Sequence, residues 1–453
     1  MAKSTDISIK RVELTTEQFV YRAPVKFGGR VVTDAEVVNV VLDVETRDGR
    51  HGRGFGSMPM GNAWAWPSRV VSGEQTLPAM RAFAARMSEV ANAHPDFGHP
   101  LELTRSLSNQ FDAAADRVAS ALHLAEPIPK LAQLVAASPI EAAIHDAYGH
   151  ALNANAYDLL GPEFVSSDLS HELGDEFAGE YLDRYTLRQP KPRMPLYHLI
   201  GALDPLTDAE VTTRLNDGLP ETLGEWIRYN GLTHLKIKMA GDDLAWDVAR
   251  VLSVNRVAEE SQAKLGCSAW YYSVDFNEKC GDVQYLLDFL SQVRASSQAA
   301  FDRIQYIEQP TNRDLRSNPA NRMHAAAKIK PVVIDESLVD LESLHLAREQ
   351  GYSGVALKAC KGHSEALLMG AAALKYGLFL CVQDLTCIGF SFLHSASLAA
   401  RIPTIAAIEG NGRQYCPAGN RPWETRYPGM FKISDGSVGT ACLTEHGLGF
   451  SGP

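Results

Sequence analysis

The sequence predicts an α/β fold: a (β/α)7β barrel like the TIM barrel, preceded by an N-terminal α+β domain. Between residues 195 and 410, short apolar segments rich in β-branched residues alternate with amphipathic helical segments. Before residue 160, strand-like segments come first and helical segments follow, without that alternation. The chain has 453 residues, more than a single hydrophobic core usually holds, so two domains are expected.

The first 160 residues form the predicted α+β domain. Residues 6–22 and 35–45 alternate apolar and polar side chains, as antiparallel strands do, and Asp48-Gly49 supplies a turn. Residues 75–158 follow a helical pattern. Residues 161–194 do not continue this helical pattern. We expect a connecting segment that covers the barrel rim or forms a subunit contact, with a solvated linker as the alternative.

The barrel is predicted from eight apolar segments that have the composition of buried parallel strands. In chain order these segments are Pro195–Ile200, His234–Lys238, Tyr272–Asn277, Ile304–Glu308, Pro331–Asp335, Gly354–Lys358, Leu378–Gln383 and Thr404–Glu409. The clearest amphipathic helices between them are residues 244–259, 283–295, 364–375 and 390–401. Residues 411–453, rich in Gly and Pro, have no place in this barrel.

Three acidic residues each end a short apolar segment, at the point where a parallel strand would leave the barrel. Glu308 follows Asp275 by 33 residues and Asp335 follows Glu308 by 27, about one strand, one helix and two loops each. Three carboxylates at one mouth repel each other unless a cation neutralises them, and oxygen ligands favour a hard divalent ion. The sequence therefore predicts that these three residues bind Mg²⁺.

Lysines continue the same spacing on both sides of the carboxylates. Lys236 and Lys238 lie two residues apart on one predicted strand, so their side chains share a face. A second cation and a nearby metal ion would both lower a lysine pKa from its ordinary value of about 10.4. Lys358 ends the sixth strand, which lies across the barrel from the second, so Lys238 and Lys358 can address opposite faces of a substrate carbon.

Five motifs follow one another in a fixed order: Lys-Ile-Lys, Asp-Phe-Asn, Glu-Gln-Pro, Asp-Glu-Ser and Leu-Lys-Ala-Cys-Lys-Gly. This order resembles the enolase superfamily, and the opposed lysines resemble its muconate-lactonizing-enzyme-like subgroup, which includes dipeptide epimerases. In the N-terminal part, residues 36–46 with Gly52-Arg-Gly-Phe-Gly resemble the family's capping-domain hairpin, and residues 138–147 resemble its last capping helix. The resemblance implies that residues 1–160 cap the barrel and that residues 411–453 return to the capping domain.

The resemblance also implies a reaction. It is a Mg²⁺-dependent abstraction of the proton alpha to a carboxylate, with an enediolate intermediate, and leads to racemisation or epimerisation. In this family pattern Lys238 is the base, Lys236 is its electrostatic helper, and Lys358 acts from the opposite face. An acid-sugar dehydratase or a cycloisomerase using the same lysines is the alternative reaction. The alternative class of protein is a catalytically inactive barrel that serves in binding or assembly.

Five further residues have expected supporting roles. Asn277 can hold the metal ligands by hydrogen bonds, and Glu336 can pair with Lys358 or begin a helix. Lys361 follows the sixth strand and is the supporting lysine by the family pattern. Asp384 ends the seventh strand, where the mandelate-racemase subgroup carries a histidine that this chain lacks. At the eighth strand, Glu409-Gly-Asn411 keeps one carboxylate of the Asp-x-Asp pair of dipeptide epimerases.

Substrate specificity in this family is usually set by capping-domain loops. The candidate substrate-binding residues are in two loops, Lys26, Phe27 and Arg30 in the first and Trp64 and Trp66 in the second. Two indoles with two cations indicate a partly apolar, anionic substrate, and a packed domain interface is the alternative explanation.

Composition limits the partners and the location. The net charge of −11 argues against nucleic acid or an anionic membrane surface as the main partner. We find neither a signal-peptide pattern nor a stretch that could span a membrane. Seven cysteines without a Cys-x-x-Cys pair indicate reduced thiols in the cytoplasm. We therefore expect a cytoplasmic homo-oligomer that acts on a small carboxylate.

Overall fold

The computed structural model of the protein describes residues 2–27 and 30–452, with Phe27 described by its backbone alone. The N-terminal part begins with an antiparallel sheet in the order β1 (Ile7–Phe27), β2 (Arg30–Thr46) and β3 (His51–Pro59). Five helices follow: α1 (Asn62–Ala65), α2 (Gly73–Asn92), α3 (Pro100–Ser108), α4 (Phe111–Ala121) and α5 (Lys130–Leu152). The strands-then-helices order agrees with the predicted α+β fold. The third strand, β3, is the second arm of the hairpin that the family resemblance implied, although the residue pattern alone predicts no strand there.

Glycines explain why β3 is difficult to predict as a strand. Gly52, Gly54 and Gly56 lie on one face of β3, against the buried helix α5. A Cβ atom at Gly52 would lie 2.1 Å from the carbonyl oxygen of Ala147, and one at Gly56 would lie 1.9 Å from that of Pro139. Only glycine allows the helix backbone to approach the sheet this closely. The contact fixes α5 on the N-terminal sheet.

Eight parallel strands form the closed barrel. They are β4 (Arg193–Ile200), β5 (His234–Lys238), β6 (Tyr271–Asp275), β7 (Ile304–Glu308), β8 (Val332–Ile334), β9 (Gly354–Leu357), β10 (Phe379–Val382) and β11 (Ile408–Glu409). The last strand, β11, pairs with the first, β4, which closes the barrel. All eight strands were predicted, and the barrel fold is confirmed.

Helices surround the barrel, and local signals set where they begin and end. At the start of α8 (Leu244–Leu265), Asp243 accepts a hydrogen bond from the backbone N–H of Trp246 at 3.0 Å. The helix ends at Gly266, whose φ of 65° is left-handed. The helices from residue 170 onward are α6 (Ser170–Leu173), α7 (Leu223–Asn230), α8 (Leu244–Leu265), α9 (Val283–Ser296), α10 (Gln298–Arg303), α11 (His324–Ala327), α12 (Leu341–Glu349), α13 (His363–Lys375), α14 (Phe390–Arg401), α15 (Gly412–Tyr415), α16 (Pro417–Glu424) and α17 (Pro428–Phe431).

The segments on either side of the barrel pack against it. Residues 161–194 contain α6 and two short 3-10 helices, and the backbone N–H of Leu187 donates to the carbonyl of Arg401 at the end of α14 at 2.7 Å. In the C-terminal segment, β12 (Ser437–Gly439) pairs antiparallel with β4, and the N–H of Leu448 donates to Asp146 on α5 at 2.9 Å. The division of the chain at residues 160, 194 and 410 stays a prediction.

The barrel interior is filled, so it is not a pore. One buried layer consists of Tyr197, Tyr306, Val333, Ala356, Cys381 and Ala407. Tyr306 lies two residues before Glu308 on β7, and side chains two apart on a strand share a face. The carboxyl ends of the strands therefore provide the floor of any site at the mouth. Within the described residues, the helices are too short or too polar to cross a membrane.

Candidate active site

The predicted metal ligands and lysines meet at the carboxyl ends of the barrel strands. In the strand register, Lys238 on β5 is opposite Asp275 on β6, and Asp275 is opposite Glu308 on β7. Asp335 and Lys358 directly follow β8 and β9. All of these side chains are buried, as is Lys236. The fold therefore brings together six charged residues that are up to 122 positions apart in the chain.

Lys236 is the centre of an ion cluster. Its Nζ lies 2.8 Å from Glu308 Oε1, 2.7 Å from Glu409 Oε1 and 3.1 Å from Asp275 Oδ2. Burial alone would lower the pKa of Lys236, but the surrounding carboxylates outweigh it and raise the pKa well above the usual value. In this arrangement Lys236 is therefore an ammonium ion.

The other lysines hold the flanking carboxylates. Lys238 donates to Asp275 Oδ2 and, at 2.9 Å, to Asn277 Oδ1. Lys358 lies 2.7 Å from Asp335 Oδ2. Burial opposes the charged form of Lys358, yet the Asp335 carboxylate raises its pKa. Lys236 and Lys358 are thus ammonium ions while each is paired with carboxylates, and the lowered lysine pKa expected beside a bound metal ion stays a prediction.

Lys361 and Glu336 have contacts of their own. Lys361 contacts Asp335 Oδ1 at 3.1 Å and also donates to the Asp335 carbonyl, as a supporting lysine would. The predicted pairing of Glu336 with Lys358 is wrong. Glu336 Oε1 instead accepts from Trp64 Nε1, on helix α1, at 3.0 Å and from Asn277 Nδ2 at 3.1 Å.

The three predicted metal ligands carry the oxygen donors that a hard divalent cation prefers. Burial and the charge of Asp275 raise the pKa of Glu308 well above its usual value. Burial also opposes ionisation of Asp275 and Asp335, but neighbouring lysines hold both pKa values below the usual range. Among residues 2–27 and 30–452, no group of three or more His, Cys, Asp or Glu side chains has the arrangement of a metal site. Ammonium groups lie between the carboxylates and supply the positive charge there.

Strained backbone concentrates at this mouth. Of the seven non-glycine residues with positive φ in the described chain, four lie here: Asn277 (43°), Glu278 (69°), Gln309 (32°) and Thr386 (55°). Such conformations cost free energy and persist where the surrounding structure enforces them, often at functional sites.

Gln309 was missed by the sequence analysis. Its Oε1 accepts from the backbone N–H groups of Asp335 at 2.9 Å and Ser337 at 3.2 Å, and its Nε2 donates to Ser337 Oγ at 2.8 Å. Gln309 thereby fixes the backbone that carries Asp335. The one available signal was its place in the Glu-Gln-Pro motif directly after Glu308.

Asn411 joins the two acidic residues predicted at the last two strands. Its Nδ2 donates to Asp384 Oδ1 at 2.9 Å and to Glu409 Oε2 at 3.2 Å. Burial, and then the charge of Glu409, raises the pKa of Asp384 to about 7. Gln383, another residue without an assigned role, donates to Glu308.

The candidate substrate-binding residues separate into different places. Trp64 lies over Lys358, with Nζ 4.1 Å from the ring centroid, and lines a chamber with Lys236, Lys238 and Lys358. That chamber has a volume of only about 20 Å³. Arg30 lines two neighbouring cavities. Trp66 and Lys26 do not line the chamber: Trp66 Nε1 contacts Glu126 Oε1 at 2.5 Å, and Lys26 is exposed. The side chain of Phe27 lies outside the described residues.

Comparisons with known proteins identify the family. Residues 219–451 match the model of the family described as enolase C-terminal domain-like. None of the curated proteins matches the chain in sequence. A mandelate racemase/muconate lactonizing protein from Herpetosiphon aurantiacus has a similar structure, with a TM-score of 0.60, 19% identity and 91% of both chains covered.

Two epimerases also have similar structures. The L-Ala-D/L-Glu epimerase from Bacillus subtilis has a TM-score of 0.64 and 16% identity, over 97% of this chain and 98% of the epimerase. A dipeptide epimerase from Enterococcus faecalis, solved with Mg and the dipeptide L-Leu-L-Tyr, has a TM-score of 0.60 and 16% identity, over 98% and 99% of the two chains. At these identities the likeness shows the fold. Because the family model covers just over half of this sequence, the chain belongs to the enolase superfamily of enzymes.

Proposed function

We propose that the protein moves a proton at the carbon alpha to a carboxylate, as a racemase or epimerase. The observation that carries the proposal is that Lys238 and Lys358, from the second and sixth strands of the barrel, line one chamber. One ammonium group can return a proton to the face opposite the one from which the other amine removed it. Lys236 lines the same chamber and adds positive charge.

The proposed metal ligands are Asp275, Glu308 and Asp335. When bound there, Mg²⁺ would act as a Lewis acid and stabilise the negative charge that develops on the substrate carboxylate. The magnesium in the solved E. faecalis epimerase supports this choice of ion. Lys236 now contacts two of these carboxylates, so we propose that its ammonium group and the metal ion compete for the same oxygens.

The chain positions both proton-transfer lysines through their neighbours. Asn277 Oδ1 accepts a hydrogen bond from Lys238 at 2.9 Å and so orients the amine. Lys358 is held between the Asp335 carboxylate and the face of Trp64, where a cation is stabilised by the ring. Gln309 holds the backbone of Asp335 and so supports both the metal ligand and the partner of Lys358.

Isotope exchange in D₂O tests this function. The full-length protein is incubated with Mg²⁺ and a library of single-enantiomer carboxylates, and deuterium at the alpha carbon is measured by NMR and mass spectrometry. Deuterium in both enantiomers supports racemisation or epimerisation. Loss of water from an acid sugar, or lactone formation, would assign the dehydratase or cycloisomerase reaction instead. Exchange without Mg²⁺, or no exchange with any carboxylate, would overturn the proposal.

We also propose the remaining properties expected from the sequence: a small carboxylate substrate, a homo-oligomer and a cytoplasmic location. All seven cysteines have free thiols, which supports a reducing compartment. Light scattering at micromolar concentration tests the oligomer, because a single 49.4 kDa species would contradict it.

A further inference from the structure

Arg313 joins three barrel loops to one another at the mouth. It lies in the loop after β7, and its Nε and Nη2 donate to Oε1 and Oε2 of Glu278, in the loop after β6, at 2.8 and 2.6 Å. Its carbonyl accepts a hydrogen bond from Ser337 Oγ, in the loop after β8, at 2.9 Å. The two bonds to one carboxylate fix the plane of the guanidinium group.

The same guanidinium group reaches the backbone of α1 in the N-terminal domain. Its Nη2 donates to the carbonyl of Trp64 at 3.1 Å, and its Nη1 donates to the carbonyl of Ala65 at 3.4 Å. These are the last two residues of α1, and the carbonyls at the end of a helix lack partners within it. A helix of four residues is not stable by itself, so its position depends on contacts of this kind.

Two contacts hold the side chain of Trp64 in the wall of the chamber. Its Nε1 donates to Glu336 at 3.0 Å, and its ring lies 4.1 Å from Lys358 Nζ. The chamber, of about 20 Å³, holds roughly one water molecule, so its wall must move to admit a substrate. Rotation of the indole about its side-chain bonds would break both contacts and leave the carbonyl of Trp64 in place.

An alternative role for Arg313 is to support the barrel loops alone. Asn277 and Glu278 form a turn with positive φ values of 43° and 69°. Backbone groups already hold this turn: the N–H of Glu278 donates to the carbonyl of Gln309 at 2.8 Å, and the N–H of Arg313 donates to Glu278 Oε1 at 2.7 Å. Because neither bond needs the guanidinium group, its two bonds to α1 favour a role in the N-terminal domain.

We infer that Arg313 is a positioning residue that holds the backbone of α1 on the barrel, so that Trp64 opens and closes the chamber by rotation of its indole alone. The inference rests on the proposed function for the presence of a substrate at the lysines. Arg313 lines the cavity beside the chamber but not the chamber itself, so it acts through Trp64.

Fluorine NMR of the full-length protein labelled with fluorotryptophan tests the inference without any turnover. The chain has six tryptophans, and Trp64→Phe assigns the resonance of Trp64. A neutral, soluble gadolinium chelate should broaden this resonance little in the unchanged protein, because Trp64 is only 7% exposed. In Arg313→Met, which keeps a long side chain without its donors, the broadening should increase about threefold because α1 is released.

Arg22→Met is the matched control. Arg22 also joins the N-terminal domain to a barrel loop, but its contacts are with Asp217 at 2.6 and 2.7 Å and with the carbonyl of Pro220 at 3.1 Å, in the loop after β4. This variant should leave the Trp64 resonance as protected as in the unchanged protein. Equal broadening in Arg22→Met would mean that any weakened domain contact exposes Trp64, and would overturn the inference. Unchanged protection in Arg313→Met would overturn it as well.

A second variant covers the case in which Arg313→Met does not fold, as measured by circular dichroism. Arg313→Lys keeps a cation beside Glu278, but its one nitrogen cannot also reach both carbonyls of α1. The broadening at Trp64 should then increase about twofold. Full protection of Trp64 in Arg313→Lys would overturn the inference.

Kinetics separate this role from support of the barrel loops. With a carboxylate that exchanges deuterium, Arg313→Met should raise KM about fivefold and keep kcat within about twofold, because the substrate must then order α1 on binding. A kcat about tenfold lower, with Trp64 still protected, would assign Arg313 to the barrel loops and overturn the inference. Absence of exchange with every carboxylate would refute the proposed function alone, because the NMR result does not depend on turnover.

Discussion

Trp64 donates a hydrogen bond from Nε1 to Oε1 of Glu336 at 3.0 Å, which joins the capping segment to the residue next to Asp335. The same indole lies over Lys358, 4.1 Å from Nζ to the ring centroid. Both contacts hold the ring in the wall of a chamber of about 20 Å³. A chamber of this volume does not hold a carboxylate substrate, so its wall must move when one binds, and we expect that Trp64 is the part that moves.

Carboxylate binding should therefore change the fluorescence of Trp64. We expect that a saturating carboxylate substrate with Mg²⁺ shifts the tryptophan emission of the unchanged protein, because the indole leaves its contacts with Glu336 and Lys358. The variant Trp64→Phe should lose that shift. Trp66→Phe is the matched control, since Trp66 is also buried but contacts Glu126. A shift that persists in Trp64→Phe and disappears in Trp66→Phe would contradict this assignment.

Replacing Glu308 by Gln should weaken Mg²⁺ binding by at least tenfold, because the variant removes a charged oxygen ligand. Calorimetric titration measures the Kd, and circular dichroism checks that the barrel remains folded. Glu409→Gln is the control, because Glu409 contacts Lys236 at 2.7 Å but is not a proposed ligand. It should bind Mg²⁺ within about twofold of the unchanged protein. Undiminished Mg²⁺ affinity in Glu308→Gln would show that the ligand assignment is wrong.

The buried histidines should lower the stability of the protein as the pH drops from about 6.5 toward 4, whereas Glu141 and Asp146, whose pKa values burial raises to about 7, contribute with the opposite sign. The buried histidines His99, His145, His363 and His394 are held neutral, and burial lowers the pKa of His99 and His394 to about 4. Below pH 6.5 these histidines bind protons in the unfolded chain but not in the folded chain, so their contribution to the free energy of unfolding decreases. For a pKa of about 4 against 6.5, the loss is about 2 kcal/mol per histidine at pH 5.

Urea unfolding at pH 7 and pH 5, compared between the unchanged protein and His394→Gln, isolates the contribution of one histidine. On going from pH 7 to pH 5, the free energy of unfolding of His394→Gln should change by about 2 kcal/mol in the stabilising direction relative to the unchanged protein, because glutamine has no proton to take up. His51→Gln, at an exposed position on β3, should leave the difference unchanged. Equal pH dependence in the unchanged protein and in His394→Gln would mean that other groups cause the acid sensitivity.

The sequence predicts the barrel well because each of its strands is buried on both faces. Such strands are continuous apolar runs. Because the strands are parallel, the residue that ends each run lies at the mouth of the barrel, and Asp275, Glu308 and Asp335 could be found in this way. The family motifs then supply the order of the lysines. Strand β3 was recognised less well, because its glycines are required by the close contact with α5, and glycine has a low β propensity.

Side-chain partners were predicted less well, because they depend on contacts that only the folded chain creates. Glu336 could have paired with Lys358 by position, but Trp64 from the capping segment reaches it. Trp66 is two residues from Trp64, yet its indole contacts Glu126, because side chains two positions apart on a helical turn do not share a face. Gln309 has four polar contacts that no periodic pattern could indicate.

The two lysines on opposite sides of the chamber give the sharpest test of mechanism. If Lys238 and Lys358 act on opposite faces of one carbon, each single Lys→Ala variant should abolish conversion between the enantiomers. The remaining lysine can still exchange the proton on its own face, so each variant should incorporate deuterium into one enantiomer only, and the two variants should have opposite preferences. Proton NMR of each enantiomer in D₂O measures this.

Lys361→Ala is the control for the sixth-strand lysine. Lys361 is fixed on Asp335 by its side-chain and main-chain oxygens, so its loss should weaken Mg²⁺ binding without reversing any enantiomer preference. If Lys358→Ala keeps full conversion and Lys361→Ala loses it, Lys361 and not Lys358 is the proton-transfer lysine of the sixth strand. Unchanged exchange into both enantiomers in Lys238→Ala and in Lys358→Ala would rule out a mechanism with two bases, because neither amine would then be needed to carry the proton.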